Sequence, residues 1–345
     1  MTETKTDPDM QRREIVRRAI EFDHPPRLPF WQAVVEFAPS DVCDCWEMDR
    51  AKAGWFFDNA ASAADDWGCG WDCTASRKNM GQVVHHPLED WAKLDSYRPP
   101  NPRDPFYFER IEDCIVDAGD RYVAVTSHFN LMERLHMLHG FPQTLADLCL
   151  EPRKIEKLLD MILEYKLEHF DELARRFGDR VHGLFCTDDW GTQTGTFISG
   201  KMFEDFFLER YRTLVDAVHG HGWHFMLHSC GKVNNFVPYF IDAGIDVLNL
   251  EQPRTYGIDE LGARFAGKIC FLTTADIQAT LPTGDAQRIR DEVRLLVENW
   301  STPRGGFVVF NYGFGDEIGC TRATTEVMFW EFVNMMDHWR AEPSG

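Results

Sequence analysis

Two residues near the middle of the chain have the side chains and the spacing of metal ligands. His228 and Cys230 follow an apolar run, Phe225–Leu227, and Gly231 ends that run. If the run is a strand, residues two apart point to the same side, so an imidazole nitrogen and a thiol sulfur lie side by side. Cys320, much later in the chain and also preceded by a glycine, offers a further thiol.

These three residues form a donor set that is typical of catalytic zinc. Zinc prefers nitrogen and sulfur ligands, and a catalytic site keeps one of its four positions open for water or substrate. Two thiolates favour zinc over magnesium or calcium. The ion then stabilises the anion that forms on a bound thiol, hydroxyl or methoxy oxygen. We therefore expect His228, Cys230 and Cys320 to hold one Zn²⁺.

The elements that position these residues are predicted from alternating β-rich and amphipathic runs. Strands separated by helices of roughly ten to twenty residues indicate a parallel sheet. No glycine-rich nucleotide-binding motif follows a strand, which favours a (β/α)8 TIM barrel over an open doubly wound sheet. The predicted strands are Leu28–Val35, Tyr122–Thr126, Val181–Cys186, Phe225–His228, Asp246–Leu250, Ile269–Thr273 and Gly306–Phe310. The predicted helices between and after them are Leu131–His139, Pro152–Phe177, Met202–Val218, Val233–Ala243, Ile258–Phe265, Ala286–Trp300 and Thr324–Trp339.

The first hundred residues differ in pattern from the rest. Helices are predicted at Gln11–Phe22 and Ala51–Ala64, and a stretch rich in glycine, tryptophan and cysteine follows before a proline cluster at residues 99–102. We interpret residues 1–100 as an N-terminal helical and irregular extension that packs on the barrel. Residues 101–345 then form the TIM-barrel catalytic region, and the two parts make one structural domain.

Other clusters of metal-ligating side chains are weaker candidates. Cys43, Cys45, Cys69 and Cys73 place four thiols close together in sequence, which is an alternative, all-thiolate zinc site. The first pair is spaced more tightly than the Cys-x-x-Cys pairs usual in such sites. Surface, packing or helix-end positions are expected for His85, His86, His136, His139, His219, His221 and His224.

Polar residues follow five of the predicted strands, at the face where barrel enzymes build their active sites. We predict catalytic roles as acid, base or hydrogen-bond partner for Asp188 and Glu251. Adjacent strand residues point oppositely, so one of Asp188 and Asp189 faces the cleft, and the prediction favours Asp188. Glu251 is a general base, a fourth ligand or a partner of His228. The predicted substrate-binding residues are Trp190, Gln193, Asp276, Asn311 and Tyr312.

Composition limits the classes of partner. Of 345 residues, 44% are hydrophobic, and 36 basic against 56 acidic residues give a formal charge of −20. Such a surface repels nucleic acid and anionic membranes. No signal-like segment or membrane-length apolar run is present, so the sequence predicts a cytoplasmic enzyme whose ten cysteines stay reduced.

Several motifs along the chain have the pattern of one known family. They are Asp66-Trp-Gly68, Gly81-Gln-Val-Val-His-His-Pro-Leu88, Asp188-Asp-Trp-Gly-Thr-Gln193, His228-Ser-Cys-Gly231 and Asp242-Ala-Gly-Ile-Asp246. Through them the sequence resembles the uroporphyrinogen decarboxylase superfamily, and within it the zinc- and corrinoid-dependent methyltransferases. The resemblance covers most of the chain.

The resemblance implies a (β/α)8 barrel in which His228, Cys230 and Cys320 match the zinc ligands. It implies a methyltransferase that moves a methyl group between a small thiol, amine or methoxylated substrate and a corrinoid (cobalamin) carried by a partner protein. The decarboxylase branch is the alternative, but Trp31 stands where that branch has an arginine for substrate carboxylates. A second alternative is a metal- or corrinoid-binding barrel without catalytic turnover.

Overall fold

The computed structural model describes residues 10–31, 33, 35–48, 62–72, 81–312 and 319–337. Two sheets occur within these ranges. The strands are β1 Val42–Trp46, β2 Ser62–Ala64, β3 Gly70–Asp72, β4 Gln82–His85, β5 Tyr122–Ser127, β6 Gly183–Thr187, β7 His224–His228, β8 Val247–Leu250, β9 Cys270–Thr273 and β10 Phe307–Val309.

Helices lie between and around the strands. They are α1 Arg12–Ile20, α2 Ile111–Ala118, α3 Leu131–His139, α4 Phe141–Leu150, α5 Pro152–Phe177, α6 Gly200–Phe203, α7 Glu209–Gly220, α8 Val237–Asp242, α9 Pro253–Tyr256, α10 Ile258–Phe265, α11 Ala286–Trp300 and α12 Arg322–Asn334. A π-helical turn, Glu204–Leu208, joins α6 to α7, and short 3-10 turns lie at Trp91–Lys93, Pro105–Phe108, Gly178–Arg180 and Leu281–Thr283. No described helix is long and apolar enough to cross a membrane.

The main sheet is a curled, parallel one in the order β1-β5-β6-β7-β8-β9-β10. The segment at Phe30 joins its two edges. Phe30 forms a parallel bridge with Val309, and its carbonyl accepts a hydrogen bond from the Asp41 N–H at 2.9 Å. The predicted TIM-barrel class is therefore confirmed, with eight backbone segments around the barrel.

The inside and outside of the barrel are filled by different sets of side chains, as alternation along each strand requires. The interior cluster includes Tyr122, Phe185, Met226 and Leu272, all buried. Trp31 packs among them, with its ring centroid 5.6 Å from that of Phe185. Helix α1 adds Val16 and Ile20 to this cluster and so covers one end of the barrel.

Several predicted elements are confirmed at their residue bounds, namely α3, α5, α10 and α11. Among the described residues of the predicted strand Leu28–Val35, Phe30 alone forms a bridge, so these residues do not form a strand of the predicted length. The strand beside this segment is Val42–Trp46. That strand has an acid at its centre, which hides it from an apolar pattern. Asp44 is tolerated because its carboxylate accepts a hydrogen bond from Thr126 Oγ1 at 2.6 Å.

The N-terminal region contributes to the barrel and also forms a small sheet of its own. Strands β2, β3 and β4 are antiparallel, so residues 62–64 do not belong to the helix predicted over Ala51–Ala64. The rest of that predicted helix, residues 51–61, lies outside the described residues. The division of the chain at residue 100 stays a prediction, although β1 of the predicted extension is a strand of the barrel sheet.

Candidate metal centre

The carboxyl end of β7 presents His228 and Cys230 on one side, as the sequence predicts. Cys230 Sγ lies 3.3 Å from His228 Nε2. Gly231 follows with a φ of 80°, and a Cβ atom there would lie 2.1 Å from the Gly191 carbonyl oxygen. Only glycine therefore permits the loops after β6 and β7 to approach this closely. Their contact continues in a hydrogen bond of 2.7 Å from the Lys232 N–H to the Thr192 carbonyl.

This contact brings a carboxylate from the loop after β6 to the two ligands. Asp189 Oδ1 accepts a hydrogen bond from the Cys230 N–H at 2.7 Å and lies 3.7 Å from His228 Nε2. One ligand atom from each of Asp189, His228 and Cys230 lies within 4.8 Å of the others. The Asp189 side chain is 38% exposed, so the group opens to solvent on that side.

The His228 ring is held by Asn249, a buried residue of β8. The Asn249 amide donates to the Leu272 carbonyl at 2.9 Å, so its Oδ1 is the atom that faces His228. That oxygen lies 2.7 Å from His228 Nδ1 and accepts a hydrogen bond from the Nδ1–H group. In the neutral ring the hydrogen is therefore on Nδ1, and Nε2, which faces Cys230 and Asp189, is the nitrogen that can bind a metal. A histidine that binds metal is oriented by this kind of second hydrogen bond.

Glu251 lies on the Nδ1 side of the His228 ring, away from Cys230 and Asp189. Its Oε1 is 3.6 Å from His228 Nδ1, and its side chain is buried. Burial raises the pKa of Glu251 to about 7, which the attraction of His228 opposes and the charge of Asp189 assists. A carboxyl group with this pKa exchanges a proton near neutral pH. Its position favours the predicted role as a partner of His228.

The charges within the cluster shift the pKa values of His228 and Cys230. Burial disfavours the charged imidazole, but Glu251, Cys230 and Asp189 outweigh that effect and raise the pKa of His228 well above its usual range. Burial also raises the pKa of the Cys230 thiol, while His228 lowers it. An excess of anionic donors around one imidazole is the environment that a divalent cation stabilises.

Asp188, which the sequence favours as the cleft residue, lies outside the group of Asp189, His228 and Cys230, and its catalytic role stays a prediction. It is fully buried, and its carboxylate accepts hydrogen bonds from the N–H groups of Met132 and Glu133 at 3.1 and 2.7 Å. Tyr211 donates a third at 2.5 Å. Asp188 therefore caps the start of α3, and its neighbour Asp189 takes the place in the cleft.

Cys320 lies outside the group formed by Asp189, His228 and Cys230 among the residues that the structure describes. It is buried directly before α12. Burial, with the charge of Asp276, raises the pKa of its thiol to about 11. Residues 313–318, which precede it, are not among the described residues, and its role as a ligand stays a prediction.

The predicted substrate-binding residues fall into different surroundings. Trp190 is fully buried among Phe203, Phe207 and Phe236, so it packs the wall and does not face a cleft. Asp276 is also buried, and its carboxylate accepts from three backbone N–H groups, those of Arg254, Gln278 and Ala279. Both side chains have structural contacts, and their role in substrate binding stays a prediction.

The remaining members of that set are more accessible. Gln193 is exposed, donating to Gln252 Oε1 at 3.1 Å and accepting from Thr255 Oγ1 at 3.2 Å. This links the loops after β6 and β8. Tyr312 is 45% exposed and Asn311 is half-buried, both directly after β10. Substrate contact by these three stays a prediction.

Sequence reasoning missed Glu133, in the first turn of α3. It is buried, and its Oε2 accepts a hydrogen bond from Thr187 Oγ1 at 2.6 Å. Burial, followed by repulsion from Asp189 and Asp188, raises its pKa to about 8. Because α3 was predicted directly after a strand, an acid in its first turn was a signal that could have been used.

The alternative four-thiol cluster is not assembled among the described residues. Cys69 is fully buried and its thiol contacts the Met137 carbonyl at 3.3 Å, whereas Cys43 and Cys45 lie against Cys114. Cys73 falls outside the described residues. Cys45 and Cys114 form a disulfide, which differs from the expectation that every cysteine stays reduced.

Comparison with known proteins identifies the family to which the chain belongs. The model of the family described as "Uroporphyrinogen decarboxylase (URO-D)" matches residues 53–331, which is most of the chain. The chain belongs to the uroporphyrinogen decarboxylase family. The resemblance predicted from sequence motifs is thereby confirmed for the family. A comparison with curated protein sequences gives no match.

Solved structures support the fold of this uroporphyrinogen decarboxylase family member. The chain is similar to a methyltransferase from Methanosarcina mazei, with a TM-score of 0.67 and 13% identity over 95% of this chain and 99% of that one. At this identity the likeness establishes the barrel fold. D-psicose 3-epimerase from Clostridium cellulolyticum H10 gives a TM-score of 0.37 and 13% identity over 69% of this chain and 86% of that one, too low to add to the comparison.

Proposed function

We propose that this member of the family is a zinc-dependent methyltransferase. It moves a methyl group between a small thiol, amine or methoxylated substrate and a corrinoid carried by a partner protein. The observation that carries the proposal is the convergence of Asp189, His228 and Cys230 at the carboxyl end of the barrel. The family match and the fold shared with the Methanosarcina mazei methyltransferase support it.

The donor set fits zinc. It combines an imidazole nitrogen, a sulfur and a carboxylate oxygen, all of which zinc accepts, and Nε2 of His228 already faces the other two donors. His228 and Cys230 would hold the ion together with Asp189 or, as the sequence predicts, Cys320. The ion would act as a Lewis acid that favours the anionic form of a substrate thiol or hydroxyl.

The residues of the chain then have separate tasks around the substrate. Asn249 fixes the tautomer and the direction of the His228 ring. Glu251 and Glu133, with pKa values of about 7 and 8, can accept a proton that the substrate loses or return it to a leaving group. Gln193 links the loops after β6 and β8 by hydrogen bonds and so helps to maintain the shape of the barrel opening.

The corrinoid would be presented by a partner, because a macrocycle of that size does not fit inside a barrel filled with side chains. The interior of this barrel is occupied by Trp31, Phe185 and Met226. The metal group opens on the side of Asp189, where a carrier can approach. A formal charge of −20 favours a carrier with a basic docking surface, whose association weakens as salt screens the attraction.

Methyl transfer to or from cobalamin tests the proposal, because the visible spectrum of cobalt changes on demethylation. Purified protein loaded with Zn²⁺ is mixed with methylcobalamin and a panel of thiols and amines. The reverse reaction uses cob(I)alamin and methoxylated aromatics. We expect zinc-dependent transfer with at least one substrate and loss of transfer in His228→Ala. The exposed Cys149 supplies the matched control Cys149→Ser, which should keep full activity.

Two results would overturn this proposal. Transfer that proceeds equally well after removal of zinc would eliminate the metal-based reaction. Release of carbon dioxide from a porphyrinogen or a related acid, with no response from cobalamin, would favour the decarboxylase alternative. In that case the arginine that Trp31 replaces would have to be supplied by another part of the barrel.

A further inference from the structure

Three cysteines converge on the outside of the barrel, far along the chain from the ligands in the cleft. Cys43 and Cys45 lie two apart on β1 and therefore point to the same side, towards helix α2. Cys114 of α2 is bonded to Cys45, and its sulfur lies 3.2 Å from that of Cys43. All three sulfur atoms lie within 4.8 Å of one another.

This spacing matches the size of a thiolate metal site. With a zinc–sulfur distance of about 2.3 Å, two sulfurs on one tetrahedral ion are roughly 3.8 Å apart. Only small movements therefore separate the observed arrangement from three ligands around one ion. Within the described residues the group contains sulfur donors alone, which favours a soft cation, such as zinc or copper(I), over magnesium or calcium.

The surroundings are compatible with a structural site. Cys43 and Cys45 are buried and Cys114 is half-buried, so an ion would be enclosed while remaining reachable from the surface. Three thiolates exceed the charge of one divalent ion by one unit, so the bound group would carry one net negative charge.

The cluster lies where a link between β1 and α2 would stabilise the barrel. Strand β1 pairs with β5 through five residues, but on its other side it meets the segment at Phe30 through few hydrogen bonds. A link from β1 to α2 closes a loop of 69 residues at this seam. Such a link reduces the freedom of the unfolded chain and holds the seam together.

We propose that reduced Cys43, Cys45 and Cys114 form a second metal site, which binds one soft thiophilic cation independently of the cleft. The disulfide and the metal-bound form exclude each other. A dithiol reductant supplies two electrons and two protons to convert the Cys45–Cys114 bond to two thiols. Each of the three thiols then loses its proton when it binds the ion, so binding releases up to three protons per ion.

Cobalt(II) binding tests the site, because thiolate coordination gives it strong near-ultraviolet absorption. The background is the double variant His228→Ala, Cys230→Ser, which removes the cleft ligands. The protein is reduced with dithiothreitol, freed of reductant without oxygen and titrated. We expect one Co²⁺ per chain, displaced by Zn²⁺. Copper(I), titrated separately, should bind in the same ratio.

Substitutions locate the ion. Cys43→Ser or Cys114→Ser should weaken binding at least about 100-fold, whereas Cys149→Ser, which alters an exposed cysteine, should leave it unchanged. If the reduced protein takes up none of the three ions, or if Cys149→Ser weakens binding as much as the others, the proposal fails. Because the cleft ligands are absent from the background, either result leaves the proposed methyl transfer untouched.

A second measurement covers the case in which the double variant does not fold. Reduced wild-type protein, with and without added Zn²⁺, is treated with iodoacetamide and the labelled cysteines are identified by mass spectrometry. Zinc should protect Cys43, Cys45 and Cys114 together and leave Cys149 labelled. Equal labelling of the three cysteines with and without zinc contradicts the site.

Discussion

Strand β7 carries a histidine at each end, and the two have opposite electrostatic properties. At the carboxyl end, carboxylates and a thiol raise the pKa of His228 well above its usual range. At the amino end, burial lowers the pKa of His224, although Asp246 and Glu21 act against that effect. His224 donates from Nδ1 to the Tyr122 hydroxyl at 2.8 Å, and Tyr122 in turn donates to the His182 carbonyl at 2.7 Å.

The difference indicates that the candidate metal ligands lie at one end of the barrel and that histidines with structural contacts lie at the other. At the carboxyl end, side chains from the loops after β6 and β7 converge on His228, whose Nε2 lies 3.3 Å from Cys230 Sγ. At the amino end, the histidines are joined to backbone and tyrosine partners beside α1. In parallel barrels the loops after the strands carry function, and the opposite face serves folding.

The largest expected effect comes from exchanging the two histidines for alanine one at a time. His228→Ala should weaken zinc binding more than about 100-fold, because it removes a ligand, and should lower the unfolding temperature of the metal-free protein little. His224→Ala should leave zinc affinity unchanged and destabilise the fold. Isothermal titration and thermal unfolding of both variants check this. Equal loss of zinc in both would mean that the two ends are not independent.

The next comparison lies within the pair Asp188 and Asp189. Asp188→Ala leaves two N–H groups of α3 and the Tyr211 hydroxyl without their acceptor, so the free energy of unfolding should fall by about 3 kcal/mol. Asp189→Ala removes an accessible side chain and should cost less than about 1 kcal/mol while weakening zinc binding. Denaturant unfolding beside metal titration separates them, and a reversed pattern would return Asp188 to the cleft.

This pair also shows what the sequence can and cannot specify. Strand alternation predicts that the two aspartates point to different sides, and the structure places Asp189 beside His228 and Cys230. Which of the two lies there depends on α3, because its first N–H groups donate to the Asp188 carboxylate. That contact joins residues more than fifty positions apart. The pairing of His228 with Cys230, in contrast, depends on local spacing along one strand, and the sequence predicts it.

The same distinction applies to the fold. Continuous apolar runs predict the strands from Tyr122 onward, because strands of a parallel sheet are buried on both faces. Strand β1 was missed because Asp44 interrupts its apolar pattern, and its partner Thr126 comes from β5. Cys114 had no local signal at all, since only the packing of α2 on β1 brings it to Cys43 and Cys45.

A smaller effect is expected from the residue that orients the ligand. Asn249→Leu removes the acceptor for His228 Nδ1 while keeping a side chain of similar volume, so zinc should bind about 10- to 100-fold more weakly. The fold should persist, as circular dichroism can verify. Unchanged affinity would show that Glu251, 3.6 Å from the same nitrogen, is sufficient to hold the ring, and the double variant with Glu251→Gln would then lose it.

The smallest effect is expected at the amino end, where it depends on pH. His182 Nδ1 accepts a hydrogen bond from the Val123 N–H at 2.9 Å, which only a neutral imidazole can do. Burial, assisted by the charges of Arg13 and His224, lowers the pKa of His182 to about 4.

In the unfolded chain this histidine titrates near 6.5, so the unfolded state binds the proton first as the pH falls. The stability that His182 provides is therefore complete above about pH 6.5 and is lost as the pH falls towards 4, by about 2 kcal/mol for a partly exposed ring. Urea unfolding of wild type and His182→Gln at pH 7 and pH 5 measures this, with the exposed His85→Gln as the matched control. The pH dependence should be shallower in His182→Gln than in wild type or His85→Gln, and zinc affinity at pH 7 should be the same in all three. Weaker zinc binding in His182→Gln would show that the two ends of the barrel are energetically coupled.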